Sequence, residues 1–289
     1  MPETILLEVD EPLDLDATLG CGQAFRWIKR AGWWEGVVER HAIRLRQNGR
    51  RLEFRGADAS FIRQYLSLDL DLEAVISSID RDPVIHAAIE EVYGLRILRQ
   101  PLFECLISYL CATNTNIRAV QARVEAIASH YGERIIEGSK NCHAFPAPLA
   151  LSGATDEGLR ACRLGYRAAF AARTLSIFTA DPGWLSRLSA QPYEEARGEL
   201  MALPGIGPKV ADCICLFALE QYESFPVDVW VRRIVGLHYL PGIEEGPAGP
   251  MVYEELRAFG RGRFGRFAGY AQEYLYGARD RLCPKRDSV

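Results

Sequence analysis

Residues 203–212 read Leu203-Pro204-Gly205-Ile206-Gly207-Pro208-Lys209-Val210-Ala211-Asp212, and this stretch decides the fold. An amphipathic helix over about 193–202 runs into it. Gly205 and Gly207 then permit a sharp turn and a close approach of backbone to a ligand. Pro208 opens the next helix, about 208–220, at the position proline prefers. Two helices joined this way, over about 193–220, form a helix–hairpin–helix. The unpaired N–H groups at the second helix's N-terminus make an anion site suited to a DNA phosphate, gripped without reading sequence. An ordinary helical corner has the same turn, so the turn alone leaves both readings open.

Lys209 adds chemistry to the hairpin. It sits in the first turn of the second helix, where the macrodipole is positive and disfavours another cation. A lowered pKa is therefore expected, as an amine nucleophile requires; a solvated lysine touching phosphate is the plainer reading. Asp228 follows 19 residues later in Phe225-Pro226-Val227-Asp228-Val229-Trp230. After one helix and a returning loop it can approach Lys209. It reads as a helix N-cap. Beside a deoxyribose, a carboxylate there would also stabilise developing oxocarbenium charge.

Working outward, the chain before residue 59 is β-rich. Runs at Phe25 to Lys29, Trp33 to Glu39, His41 to Gln47 and Arg51 to Phe54 read as strands. Asn48-Gly49 is a strong hairpin signal, expected to place positive φ at both residues, and Ala31-Gly32 is a weaker one. From about Ala59 the apolar spacing becomes helical. Residues 102–110 are almost all apolar and predict a deeply buried helix. Further helices are expected at about 117–131, 155–163, 166–179, 193–202, 208–220, 229–238, 250–259 and 266–279. The fold class is thus α+β: a small antiparallel β domain with the first helices (1–98), then a helical body (99–289) of two helical subdomains.

The 289 residues are 48% hydrophobic, enough for a substantial core. A net charge of −4 speaks mildly against a nucleic-acid partner, although a local basic face and helix N-termini can still hold phosphates. The eight cysteines include no CxxC pair and no close four-cysteine set for zinc or an iron–sulfur cluster. They read as reduced, buried thiols of a cytosolic protein. Met1-Pro2-Glu3-Thr4 lacks the character of a signal peptide, and no apolar run is long enough for a membrane. A non-secreted protein is expected, in the cytoplasm and nucleoid of a bacterium or the nucleus of a eukaryote.

The hairpin, Lys209 and Asp228 resemble the helix–hairpin–helix DNA glycosylase superfamily. Six segments in order resemble its 8-oxoguanine DNA glycosylase/AP lyase family: Gly20 to Trp27, Ala112 to Ile117, Leu164 to Arg167, Lys209 to Cys215, Val227 to Val229, and Gly269 to Gln272. The resemblance implies that Lys209 attacks C1′ and forms a Schiff base, followed by β-elimination, with Asp228 as its catalytic partner. It assigns the Gly22 carbonyl to the N7–H of 8-oxoguanine, a hydrogen bond that ordinary guanine cannot donate. Such a difference is worth ~1–3 kcal/mol. It assigns Gln272 to the Watson–Crick edge, and Tyr276 and Cys213 to the two faces of the base. Asn114 would fill the vacated stack, Tyr166 would wedge, and Arg167 would bond the orphaned cytosine. No cofactor is required by this chemistry and no protein metal ligands are implied; the resemblance leaves room for a cation at the hairpin phosphate contact. Damaged double-stranded DNA is the implied partner of an expected monomer, with no membrane role.

Two positions depart from the family pattern. Ala119 replaces the second cytosine-reading arginine, so cleavage opposite several bases is expected. Trp230 replaces a histidine near the 5′ phosphate, and an indole offers one donor and no charge. The competing readings are a monofunctional alkylated-purine glycosylase of the same fold, which needs no lysine, and a non-catalytic helix–hairpin–helix DNA-binding module.

Overall fold

The computed structural model describes residues 4–137, 140–243 and 249–284. Its α+β architecture begins with five antiparallel strands: β1 (Ile5–Glu8), β2 (Trp27–Arg30), β3 (Trp33–Val38), β4 (His41–Asn48) and β5 (Arg51–Arg55). They lie in the order β1-β5-β4-β3-β2. The alternation of the strands buries Trp27, Trp34, Val38, Ile43, Leu45, Leu52 and Phe54 in one small core. That core is closed by Leu15 and Leu19 of the helix Leu15–Gly20 and by Ile62 and Tyr65 of the helix Ala59–Tyr65. Trp27 Nε1 donates to the Tyr65 hydroxyl at 2.8 Å, which satisfies both polar tips inside it.

Two local expectations are corrected. Asn48 does not sit in the turn; it is the last residue of β4 and pairs with Arg51, leaving Gly49 and Arg50 as the turn. Gly49 alone takes positive φ (+61°), the pattern of a turn with glycine at its first central position. Positive φ at both turn residues occurs instead at Ala31 (+47°) and Gly32 (+78°). β1 and the helix Leu15–Gly20 were not expected. Both are short, and β1 is an edge strand whose register comes from β5, 43 to 49 residues away.

The helical body has its own, larger core. At its centre is the helix Leu102–Cys111, buried from Cys105 to Cys111. The helices Leu72–Ile79 and Pro83–Glu91 contribute Val75, Ile79, Ile85 and Ala88 to this core rather than to the sheet's. A second small hairpin, β6 (Arg134–Glu137) with β7 (Lys140–His143), follows the helix Ile117–Tyr131.

The hairpin helices are Tyr193–Ala202 and Pro208–Ala218. Fully buried Asp212 fixes their angle. It accepts from the Tyr193 hydroxyl (2.5 Å), Arg197 Nε (2.9 Å) and the Tyr253 hydroxyl (2.6 Å), the last from the helix Pro250–Phe264. Breaking such a buried ion pair typically costs ~3–5 kcal/mol. Among the described residues no helix is long and apolar enough to cross a membrane, and no disulfide joins the cysteines.

Candidate active site

Gly205 turns the chain at φ +82°, and a Cβ there would stand 2.5 Å from the Phe170 ring, so both conformation and packing call for glycine. Gly207 is the N-cap of the Pro208–Ala218 helix and supplies no side-chain hydrogen bond to it. The first N–H groups of that helix therefore face outward, as an anion site requires. Phe170 also packs edge-on against Tyr166, linking the hairpin to the loop that bears Tyr166.

Lys209 enters a cavity of about 210 Å³. Five segments of the chain supply its walls, bringing Gly22, Lys209, Cys213, Asp228, Gln272 and Tyr276 together. Helical spacing accounts for two pairs: Lys209 with Cys213 on the Pro208–Ala218 helix, and Gln272 with Tyr276 on the helix Ala268–Gly277. Asp228 caps the helix Val229–His238 through Val231 N at 2.8 Å, and still lines the cavity. The plain and the functional readings of this residue are compatible.

Gly22 sits at φ +93°, where a Cβ would meet Ile117 Cδ1 at 2.9 Å. Its neighbour Gln23 pins this loop. Gln23 Nε2 donates to the Thr18 and Arg96 carbonyls, each at 2.9 Å, and Oε1 accepts from Leu98 N at 2.8 Å. The Gln23 carbonyl accepts from Gln100 Nε2 (2.6 Å) and the Tyr109 hydroxyl (3.0 Å). A backbone carbonyl at Gly22 is thus held rigidly, as discrimination by a single hydrogen bond demands.

The electrostatics correct one expectation. Burial does disfavour the Lys209 ammonium, but the Cys213 sulfur and the Asp228 carboxylate outweigh it, and its pKa lies above the ordinary lysine value. The amine is charged in the free chain at neutral pH. Its Nζ lies 5.3 Å from the centre of the Tyr109 ring, a cation–π contact that favours the same state. Burial raises the Asp228 carboxyl above the usual range, against the pull of backbone N–H groups and Lys209. Burial pushes the Cys213 thiol up to about 12, against the pull of Lys209.

Sequence reasoning missed Glu273. It is 4% exposed, lines the same cavity, and its Oε2 has no hydrogen-bond partner. Burial raises its carboxyl to about 7, opposed by the Cys21 thiol and reinforced by Asp228. Its place beside Gln272 was visible, but helical spacing from Gln272 points to Tyr276 instead. Gln272 Oε1 is likewise buried and unpartnered, an acceptor left for something that enters the cavity.

The three residues expected to touch the opposite strand are divided. Asn114 is exposed at φ +49° and lines an adjoining groove of about 590 Å³ with Gly207, Lys209 and Asp228. It does not cap the next helix; Asn116 does, through Ala119 N at 3.0 Å. Tyr166 is 51% exposed, as a wedge must be. Arg167 instead is buried, and donates through Nε and Nη2 to the carbonyls of Thr113 and Asn114. In the free chain it holds the Asn114 loop rather than reaching outward. Trp230 lies under the Arg233 guanidinium, 5.3 Å from the ring centre. Among the described residues no group of His, Cys, Asp and Glu could hold a metal ion.

Comparison with known proteins places this geometry. Residues 5–106 match the family model for the 8-oxoguanine DNA glycosylase N-terminal domain. The chain is 31% identical over 283 residues to the N-glycosylase/DNA lyase OGG1 of Arabidopsis thaliana, covering 91% of this chain and 76% of the relative. It superposes on the Clostridium acetobutylicum 8-oxoguanine glycosylase/lyase bound to DNA with cytosine opposite 8-oxoG. The TM-score is 0.89 at 27% identity, covering 97% and 98% of the two chains. MBOgg1 in complex with a low affinity DNA ligand gives a TM-score of 0.89 at 30% identity, covering 96% of each chain.

Proposed function

The chain belongs to the 8-oxoguanine N-glycosylase/DNA lyase family, and from that premise we propose that it flips 8-oxoguanine out of duplex DNA and excises it through Lys209. It is a bifunctional repair enzyme, a DNA glycosylase with AP-lyase activity. The observation that carries the reading is the convergence of Gly22, Lys209, Cys213, Asp228, Gln272 and Tyr276 on one cavity.

Each residue has a definite task. The Gly22 carbonyl accepts from N7–H of the lesion, and Gln272 reads the Watson–Crick edge with one donor and one acceptor. Tyr276 and Cys213 cover the two faces of the ring. Lys209 starts as an ammonium and must lose one proton before it can attack. Its nitrogen then bonds C1′ as the bond from C1′ to the base breaks, and the departing base takes up a proton. Asp228 faces the sugar and stabilises the positive charge that develops on it. Opening of the sugar ring leaves an imine to Lys209, and β-elimination then breaks the 3′ C–O bond. The amine acts as the nucleophile, so the reaction uses no metal. A cation at the hairpin phosphate contact would act only in holding DNA.

Borohydride trapping on an 8-oxoguanine duplex separates the readings. A covalent adduct that disappears in Lys209→Gln supports this one. Cleavage without an adduct favours a monofunctional alkylated-purine enzyme, and neither activity favours a DNA-binding module.

A further inference from the structure

Two short loops carry the residues that enter the duplex under this reading: Ala112–Asn116 with Asn114, and Arg163–Tyr166 with Tyr166. Neither is regular. Asn114, Arg163 and Gly165 all have positive φ, at +49°, +66° and +59°. For a residue such as Arg163 that conformation is unfavourable and persists only where its surroundings enforce it.

Arg163 follows the helix Asp156–Ala161, where its N–H bonds the Arg160 carbonyl at 2.9 Å, and one side chain reaches across to its own carbonyl. Arg123, half-buried on the helix Ile117–Tyr131, donates through Nε to the Arg163 carbonyl (3.1 Å) and through Nη1 to the Cys111 carbonyl (3.0 Å). It ties the wedge loop to the end of the helix from which the Asn114 loop springs. Arg167 completes the brace from the other side, with Nε on the Thr113 carbonyl at 3.0 Å and Nη2 on the Asn114 carbonyl at 3.3 Å. Burial first, and the Arg167 charge second, press the Arg123 pKa below the ordinary arginine value. Arg123 is also one helical turn beyond Ala119, on the same helix face.

We propose that Arg123 is a positioning residue that locks the Asn114 and Tyr166 loops into one rigid unit, so that plug and wedge enter the duplex together. This rests on the glycosylase reading above. Its consequence is selective. Plug and wedge offset the loss of pairing and stacking when a paired base is flipped, and matter less where the lesion has no partner.

The test compares single-turnover excision of 8-oxoguanine from two duplexes, one with cytosine opposite the lesion and one with a tetrahydrofuran abasic analogue opposite. Losing charge-assisted hydrogen bonds at this strength predicts that Arg123→Met slows the cytosine duplex about tenfold and the tetrahydrofuran duplex less than about threefold. Arg123→Lys keeps the charge but not the two-pronged geometry, and should fall between. It carries the comparison if Arg123→Met does not fold. Equal slowing on both duplexes, or none, overturns the proposal while leaving the glycosylase reading intact. A wild-type protein inactive on both duplexes overturns that reading, and this proposal with it.

Discussion

Glu273→Gln is the substitution whose effect is best fixed by the structure. Glu273 is 4% exposed, and burial raises its carboxyl from 4.5 to about 7. An acid whose pKa is higher folded than unfolded binds its proton more tightly in the folded state. Stability is then unaffected by this group below pH 4.5, falls as pH rises toward 7, and stays reduced above it. The rise from 4.5 to about 7 corresponds to ~3 kcal/mol of destabilisation once the carboxylate is formed. Glutamine is nearly isosteric and cannot ionise. The variant should therefore match the wild type within about 1 kcal/mol near pH 4.5 and exceed it by ~2–3 kcal/mol at pH 8. Denaturant unfolding of both proteins across that range measures the difference directly. A difference that is constant with pH would refute the reasoning, because it would mean that Glu273 does not change its charge in this window.

Two further outcomes follow from other parts of the site. In Gly22→Ala, φ of +93° and a Cβ 2.9 Å from Ile117 Cδ1 should displace the loop carbonyl. Excision of 8-oxoguanine should fall about tenfold or more, while cleavage of a preformed abasic site, which has no base to read, should change less than about threefold. At the opposite strand, Ala119 offers no hydrogen bond and Arg167 is engaged with the Asn114 loop. Duplexes of equal sequence differing only in the base opposite the lesion should be cut at similar rates; a steep preference for cytosine would be the contrary result, and Ala119→Arg should create one of about tenfold, in line with ~1–3 kcal/mol for a good bidentate contact.

Much of this was legible in the sequence, for identifiable reasons. The hairpin announced itself because Pro208 and two glycines act through local backbone geometry. Gln272 with Tyr276, and Lys209 with Cys213, could be paired because a helix fixes the spacing of its faces. What escaped depends on contacts between distant segments. β1 takes its register from β5, so Ile5 to Glu8 carries little signal alone. The Lys209 pKa direction is set by what surrounds its amine, chiefly burial against Cys213 and Asp228, and the helix N-terminus alone pointed the wrong way. The family resemblance assigns Arg167 to the orphaned cytosine, whereas in the free chain its guanidinium folds onto the Thr113 carbonyl, 54 residues away. Arg123 drew no notice for the same reason: its partners are carbonyls, which the sequence does not distinguish.

In the proposed reaction the Lys209 amine bonds the sugar. Peptide mapping by mass spectrometry of the protein reduced with borohydride on 8-oxoguanine DNA tests it most directly. A single modified peptide should carry the sugar remnant, on Lys209. A remnant on another lysine or the N-terminus, or excision that leaves every peptide unmodified, would contradict it.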